Sequence, residues 1–512
     1  MLKSIGFENF KAFKKLDNFE INPLTVLCGT NSSGKSTIIK SILLWKQTLE
    51  RGWRRGVKGF IYNGELVQLG PPKKWPFNNE KNKEIRFKLS VDAKKNIPPS
   101  FFTQTLGQPV RDQDGRNLEY EINLSLRFIP FSRAEGGMKI TDYHLNIKKI
   151  LFVKTNKSAP KLASKKKSTR QIFDLRIIGD HQKDEFTVSW KNLPKSKVSS
   201  GGRYSDLNIE EFNKKRKAGT MKISDYASPI KLLSFESEPG FIKNELEEEI
   251  FNKISEITQR FEASFYSMLQ RVSYLGPIRG EPKRIILDEG YSGDVGTKGE
   301  NIGFIYDEYK KRIVKYGFFG QKKNEFFTRK TTLRIASEFW LSELGIKNFK
   351  LKKQPNDVLL FQQNSSEYTD HNVSIADVGF GVSQVFPIII HGLLLARGAT
   401  LMIEQPELHL HPKMQMKLAD FFLSLVIVGK EIIIETHSEH IINRLVRRVV
   451  EDNNNEFKQL VGINFVSSTK KGSKIEKIEL SETEGIVNWP DEFFDQAADE
   501  QQKILTAIIQ KK

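Results

Sequence analysis

Apolar residues recur along this chain in two patterns. Residues 24–28 (Leu-Thr-Val-Leu-Cys) form a short apolar run rich in β-formers, and after a glycine-containing gap Ile38-Ile39-Lys40-Ser41-Ile42-Leu43-Leu44 shows helical spacing. Runs of the first kind return at 400–404 and 431–435, each ending in a glutamate. A parallel strand covered on both faces reads this way and delivers its last polar residues to the carboxyl edge of the sheet. Between the early and late runs, Val385-Phe386-Pro387-Ile388-Ile389-Ile390 reads as an apolar helix. The second pattern has period two: Glu84–Val91, Tyr120–Leu126 and Glu185–Trp190 alternate, which predicts half-buried antiparallel strands. From Phe241 to about Gln270 the composition is helical, without the sustained heptads of a long coiled-coil arm.

Hydrophobic residues make up 38% and charged residues 28% of the 512, an ordinary globular composition. No apolar run approaches the ~18 residues of a membrane span, and the start, Met1-Leu2-Lys3-Ser4-Ile5, reads as a strand and not as a leader. A cytoplasmic protein without membrane partners is expected. Cys28, the single cysteine, has no intrachain disulfide partner and reads as a small core residue. The charge changes the picture more. Lys+Arg 81 against Asp+Glu 62 gives +19, which points toward a polyanionic partner, nucleic acid first; a solvated basic surface is the alternative.

The gap after residue 28 is Gly29-Thr30-Asn31-Ser32-Ser33-Gly34-Lys35-Ser36-Thr37, the G-x-x-x-x-G-K-[ST] pattern with a strand before it and a helix after it. Glycines let successive backbone N–H groups turn toward phosphate oxygens, and the helix N-terminus adds partial positive charge. Lys35 is expected to reach the β- and γ-phosphates and Ser36 to ligate Mg²⁺. The binding set is thus Gly29, Asn31, Ser32, Gly34, Lys35, Ser36 and Thr37, with ATP and Mg²⁺ as ligands. The acidic half of the site comes from Glu404, followed by Gln405-Pro406-Glu407, and from the strand ending in Thr436-His437-Ser438. Upstream, Gly379, Gly381 and Ser383 open the 385–390 helix as a second anion nest, or as a plain capped helix. A second nest has a use if it caps the nucleotide of another subunit.

In order and kind these four elements resemble ABC-type ATPase heads, among them SMC, RecF and OLD proteins. Ile403–Pro412 looks like the long Walker B segment of stand-alone AAA-labelled ATPases from bacterial and phage-defence operons, of the PtuA-like kind found in Septu and retron-linked systems. Tyr274-Leu275-Gly276-Pro277-Ile278-Arg279, with Pro282 and Arg284, matches the middle of that group, and 484–495 resembles the small C-terminal domain DUF3696. The resemblance implies an α/β fold: a P-loop ABC-type ATPase head with an inserted β-rich lobe and a small C-terminal lobe. Residues 1–74 would be the first half of the head, 75–240 the inserted basic lobe, 241–330 a helical link, 331–458 the second half and 459–512 the C-terminal lobe. It also implies that Glu404 stands as the Walker B acid and metal ligand, that Ser383 with Gly379 and Gly381 is donated across a dimer, and that His437 senses the γ-phosphate. Where the group carries a glutamate to position the attacking water, this chain has Gln405, which orients water but cannot take its proton. Either Glu407 assists, or hydrolysis is slow and ATP acts as a dimer clamp.

Basic tracts interrupt the alternating lobe at Lys154, Lys157, Lys161, Lys165–Lys167 and Arg170, at Lys191, Lys195 and Lys197, and at Lys214–Lys217. They can neutralise phosphates or stand as solvated loops. About seventy residues follow His437, too few for the nuclease domain that OLD-type relatives carry. His409 and His411 read as part of the Walker B turn. Three functions compete: a nucleotide-switched sensor or regulator of an anti-phage module, an even-numbered oligomer partnered with a separate HNH-type nuclease; a RecF-like repair clamp on DNA; and an ATP-binding scaffold with little turnover.

Overall fold

The first strand pairs away from the phosphate loop. In the computed structural model, which describes residues 2–55, 60–80, 83–92, 97–111, 117–130, 138–152, 167–180, 185–195, 209–224, 245–280, 293, 295–320, 325–354, 358–366, 369–374, 380–490 and 496–510, β1 (Leu2–Phe10) folds back on β2 (Phe13–Glu20). The chain then makes β3 (Leu24–Gly29) and α1 (Lys35–Arg55) before continuing through β4 (Ile85–Asp92), β5 (Glu119–Pro130), β6 (Met138–Phe152), β7 (Lys167–Asp180), β8 (Glu185–Lys191), α2 (Ile209–Lys215), β9 (Ala218–Ser224) and α3 (Glu245–Gln270). Two units result, residues 1–20 with 40–271 and residues 21–39 with 272–512.

In the first unit eight antiparallel strands form one sheet in the order β2-β1-β4-β5-β6-β7-β8-β9. Period-two patterning explains it: alternate residues face a core, so Phe87 is buried between Arg86 and Lys88, and Leu124 between Asn123 and Ser125. Phe87 stacks on Phe128 at 5.8 Å, and α3 adds Phe265, edge-on to Trp45 at the same distance. On the polar face Arg176 grips Asp142 through Nε and Nη2 at 3.1 and 3.2 Å. The β-rich lobe is larger than the alternating segment: it takes in β1 and β2, because β1 pairs with β4 in register, and α3. Of its basic tracts, 154–166 and residue 197 lie outside the described residues.

The second unit resumes with β10 (Val272–Leu275), α4 (Ile302–Tyr309), the hairpin β11 (Ile313–Phe319) and β12 (Phe326–Thr332), α5 (Leu333–Glu343) and the meander β13 (Lys350–Gln354), β14 (Val358–Ser366) and β15 (Thr369–Ser374). It continues with α6 (Phe380–Leu394), β16 (Thr400–Glu404), α7 (Pro412–Ile427), β17 (Glu431–Glu435), α8 (Glu439–Val450), β18 (Val461–Thr469) and β19 (Gly472–Ile478). Its six-stranded sheet runs β10-β16-β17-β3-β18-β19, parallel except for β19 at one edge. Residues 461–469 therefore do not stand in a separate C-terminal lobe. Val461, Ile463, Phe465 and Val466 are buried, and β18 pairs with β3 itself. Helices pack on this sheet through a core that includes Trp340, Ile389, Phe421 and Leu445. The result is an α/β P-loop architecture: five parallel strands end at one edge, with β3 between β17 and β18.

Candidate functional site

β3 ends where its backbone must turn hardest. Gly29 has φ +130°, and a Cβ there would lie 2.1 Å from the Val466 carbonyl oxygen, so only glycine lets the strand pass β18 and open into a loop. Ser32 and Gly34 also adopt positive φ, +58° and +100°. Asn31 and Ser32 sit exposed at the loop tip, while Lys35 is buried at its base. The Lys35 ammonium donates to the carbonyls of Gly29 at 3.1 Å and Thr30 at 2.5 Å, closing the loop around its own concavity. Burial lowers the Lys35 pKa, opposed by the charges of Glu435 and Glu407. The Thr37 N–H donates to Gly34 C=O at 3.0 Å and starts α1. Cys28 is buried, which pushes its thiol up, as a core cysteine requires.

The acidic edge is assembled by strand pairing. Glu404 ends β16 and Glu435 ends β17 as register partners on adjacent parallel strands, both buried. The carboxylate that meets the phosphate loop is Glu435: Ser36 Oγ donates to its Oε1 at 3.0 Å. Glu404 is instead held from β10, its Oε1 accepting from the Tyr274 hydroxyl at 2.9 Å. Burial raises the Tyr274 phenol far above its ordinary range, with the Glu404 charge adding to it, so it stays a donor. Ser36 and these two carboxylates offer hard oxygen donors only. Among the described residues no group of three or more His, Cys, Asp or Glu side chains forms a metal cage. The oxygen donors suit Mg²⁺, which takes one or two carboxylates and completes its octahedron with water and phosphate oxygens. Ser36, Glu435 and Glu404 are the side chains that would hold it, and the ion would offset two buried carboxylates lying side by side.

Beyond β16 the chain is bent. Gln405 has φ +45°, unusual for a residue with a side chain, and its N–H donates to Glu435 C=O at 2.7 Å. The bend is pinned by Arg279, 2% exposed, which donates to the carbonyls of Glu404 at 2.9 Å and Gln405 at 3.4 Å. Burial draws the guanidinium pKa down to about 10, which still leaves it charged at neutral pH. Glu407 spends both oxygens on the end of β17, accepting at 2.7 Å from the Thr436 hydroxyl and at 2.7 Å from the His437 N–H. Its pKa is raised by burial, partly offset by these bonds. His437 is half-buried; burial first and the Lys35 charge second lower its pKa, which favours the neutral imidazole. His411 caps α7, its Nδ1 accepting from Lys413 N–H at 3.3 Å, and His409 sits exposed in the turn with φ +59°.

The expected residues therefore converge in part. Gly29 to Thr37, Glu404, Gln405, Glu407 and His437 share one edge of one sheet. Gly379 lies outside the described residues. Gly381 lies in the first turn of α6, and a Cβ there would meet only ordinary contacts, the nearest being the His409 carbonyl oxygen at 3.7 Å. Ser383 is buried in the same helix. Three residues that carry the geometry had no assigned role: Glu435, Tyr274 and Arg279. For Glu435 a signal was legible, since it closes an apolar run as Glu404 does. For Tyr274 and Arg279 the resemblance of 274–279 marked the segment without giving either residue a role, and only the fold shows the depth of Arg279.

No curated protein matches the sequence. Among solved structures the chain is similar to an SMC head bound to the C-winged helix domain of ScpA, at 12% identity and TM-score 0.40 over 94% of this chain and 98% of that one. It is also similar to the SMC head domain from Thermotoga maritima, at 9% identity and TM-score 0.35 over 93% and 99%. A third is an Smc head with an extended coiled coil bound to the C-terminal domain of ScpA derived from Pyrococcus furiosus, at 14% identity and TM-score 0.36 over 99% of both chains. The AAA ATPase domain family AAA_15 matches residues 1–442, a span that contains the phosphate loop, both acidic strand ends and His437, and the chain belongs to that family.

Proposed function

We propose that the chain is a Mg·ATP-dependent ATPase that dimerises on its nucleotide and regulates a partner nuclease in an anti-phage defence module. The observation that carries the nucleotide reading is the 3.0 Å contact of Ser36 with Glu435, which brings the phosphate loop to the acidic strand ends. Dimerisation draws support from Gly381: glycine in a helix costs about 1 kcal/mol relative to alanine, and among the described residues no neighbour crowds the position. A surface approached closely by another molecule accounts for it, and the resemblance to ABC-type heads names that molecule as the nucleotide on a second copy. The defence role rests on the resemblance of 403–412 and 484–495 to ATPases of such operons.

A second reading, an ATP-held scaffold that turns over little, is favoured by the same edge. Gln405 is no base, and Glu407 is committed through both oxygens to the end of β17. Sedimentation of the full chain with Mg·ATP and without nucleotide, beside Lys35→Ala and Ser383→Arg, tests the proposal. Wild type should dimerise only with ATP, Lys35→Ala should lose ATP binding, and Ser383→Arg should bind ATP as a monomer. ATP-driven dimers of Ser383→Arg would remove the shared site, and a single-turnover assay of the wild-type dimer separates slow from absent hydrolysis.

A further inference from the structure

The first unit carries a cavity of about 1170 Å³ that the ATPase reading does not use, bordered by β6, β7, the 192–195 turn and α3. Among the described residues six cations line it, Lys149, Arg170, Lys195, Arg216, Lys253 and Arg260, against two carboxylates, Glu249 and Glu256. Glu256 is already divided between Lys253 at 2.6 Å and Arg260 at 3.2 Å. Arg216 is spent on the Leu193 carbonyl at 3.1 Å and Asn213 Oδ1 at 3.0 Å. Among the described residues, Lys149, Arg170 and Lys195 make no ion pair.

Two of these three face each other. Lys149 and Arg170 are register partners across β6 and β7, and like charges directly opposite on a sheet destabilise it. An anion between them turns that cost into a binding site. The rest of the lining narrows the anion. Among the described residues no aromatic ring borders the cavity, so none of them offers a platform for base stacking. Amides do border it, from Gln104, Gln108, Gln171, Asn192 and Asn252, and these bond phosphate and sugar oxygens without regard to base. The volume exceeds the ~300–1,000 Å³ typical of a site for one small ligand, which favours a chain of several units over one nucleotide.

We infer that this cavity binds the sugar–phosphate backbone of a single-stranded nucleic acid, several nucleotides long and without base preference. The site is separate from the ATP edge and stands whether or not the ATPase reading does. The test is fluorescence anisotropy of a labelled twelve-nucleotide thymidine strand with full-length protein across a KCl series. K149Q/R170Q/K195Q is compared with K73Q/K315Q/K330Q, which removes equal charge from exposed positions outside the cavity. The cavity triple should weaken binding more than tenfold at low salt. It should also flatten the slope of log Kobs against log[salt] by about 0.7 for each phosphate that is no longer neutralised, about 2 in all, with the control triple near wild type. Equal effects of the two triples would reduce the binding to bulk charge, and no effect of either would overturn the site. A duplex of equal length or inorganic triphosphate displacing the strand at equal concentration would overturn the single-strand assignment. ATP affinity, measured in parallel, should match wild type in both triples, so a failure here is distinguishable from a failed nucleotide site.

Discussion

Glu404 and Glu435 end neighbouring strands in the same register but keep different company. Tyr274 holds Glu404 by a hydrogen bond, whereas Glu435 meets Ser36 across the phosphate loop. Removing the charge at 435 should therefore strip most of the Mg²⁺ enhancement of ATP affinity. A charged hydrogen-bonding partner is worth roughly 1.5–3 kcal/mol, a loss of about tenfold to a hundredfold. Glu435→Gln should bind ATP in EDTA as wild type does and gain little when Mg²⁺ is added, read by calorimetric titration in both buffers. If Glu404→Gln shows that pattern and Glu435→Gln keeps the full Mg²⁺ gain, the ligand is Glu404. At this scale the sequence spoke unevenly. Gly29, Lys35 and Ser36 were legible because phosphate binding fixes residue type and spacing together. The choice between two glutamates at the ends of two similar runs was not, since it depends on which strand lies beside β3. Nor was the role of Arg279, which comes from being buried under the Gln405 bend.

Neighbouring elements are tied by buried ions that sequence patterns do not flag. Asp420 in α7 accepts from Arg444 and Arg448 of α8, with distances of 2.7–3.1 Å, joining the two helices. Burial pushes this carboxyl up, but the hydrogen bonds from Arg444 and Arg448 outweigh it and hold it below its ordinary range. Lys430, just before β17, donates to the carbonyls of Gly392 at 2.7 Å and Leu393 at 2.9 Å in the last turn of α6. Burial, with the Arg312 charge adding to it, lowers the Lys430 pKa from 10.5 to about 7. The sign follows from proton counting. Between those two pH values the unfolded chain holds a proton that the folded chain has shed, so stability rises with pH over that window. One group can contribute a slope of at most about 1.4 kcal/mol per pH unit. Urea denaturation of wild type and Lys430→Met from pH 7 to pH 10 should show the wild type gaining stability relative to the variant as pH increases. A constant difference would mean that the amine stays charged at the helix end, held by its two carbonyls. The period-two strands, by contrast, were legible as elements, because alternation fixes which face is buried. β18 was not assigned to the central sheet, because a run that pairs with β3 looks the same as one that begins a new lobe.

For the whole molecule, the consequence of the threading is thermodynamic. The phosphate loop lies in residues 21–39, early in the chain, yet every strand of its sheet other than β3 comes from beyond residue 271, and Ser36 and Glu435 are 399 residues apart in sequence. The first unit draws on residues 1–20 and 40–271, and the residues of the nucleotide edge named above all belong to the second. A ligand that binds only the folded second unit stabilises it by RT ln(1 + [L]/Kd), about 2.7 kcal/mol at a hundredfold excess over Kd. In a unit of some 250 residues, 1 kcal/mol shifts the midpoint by roughly 2–4 °C. Scanning calorimetry should therefore resolve two transitions, one of them moving up by roughly 5–10 °C as Mg·ATP is raised to a hundredfold excess while the other stays in place. Lys35→Ala should show both transitions and move neither. A single endotherm moving as a whole with ATP would mean that the units unfold as one and that nucleotide binding is read by both. In that case the interleaved chain, with α1 running from residue 35 in one unit into residues 40–55 of the other, couples them at equilibrium. Two transitions of which only one responds would instead make the nucleotide edge the property of the second unit alone, leaving the basic cavity of the first to be occupied without reference to ATP.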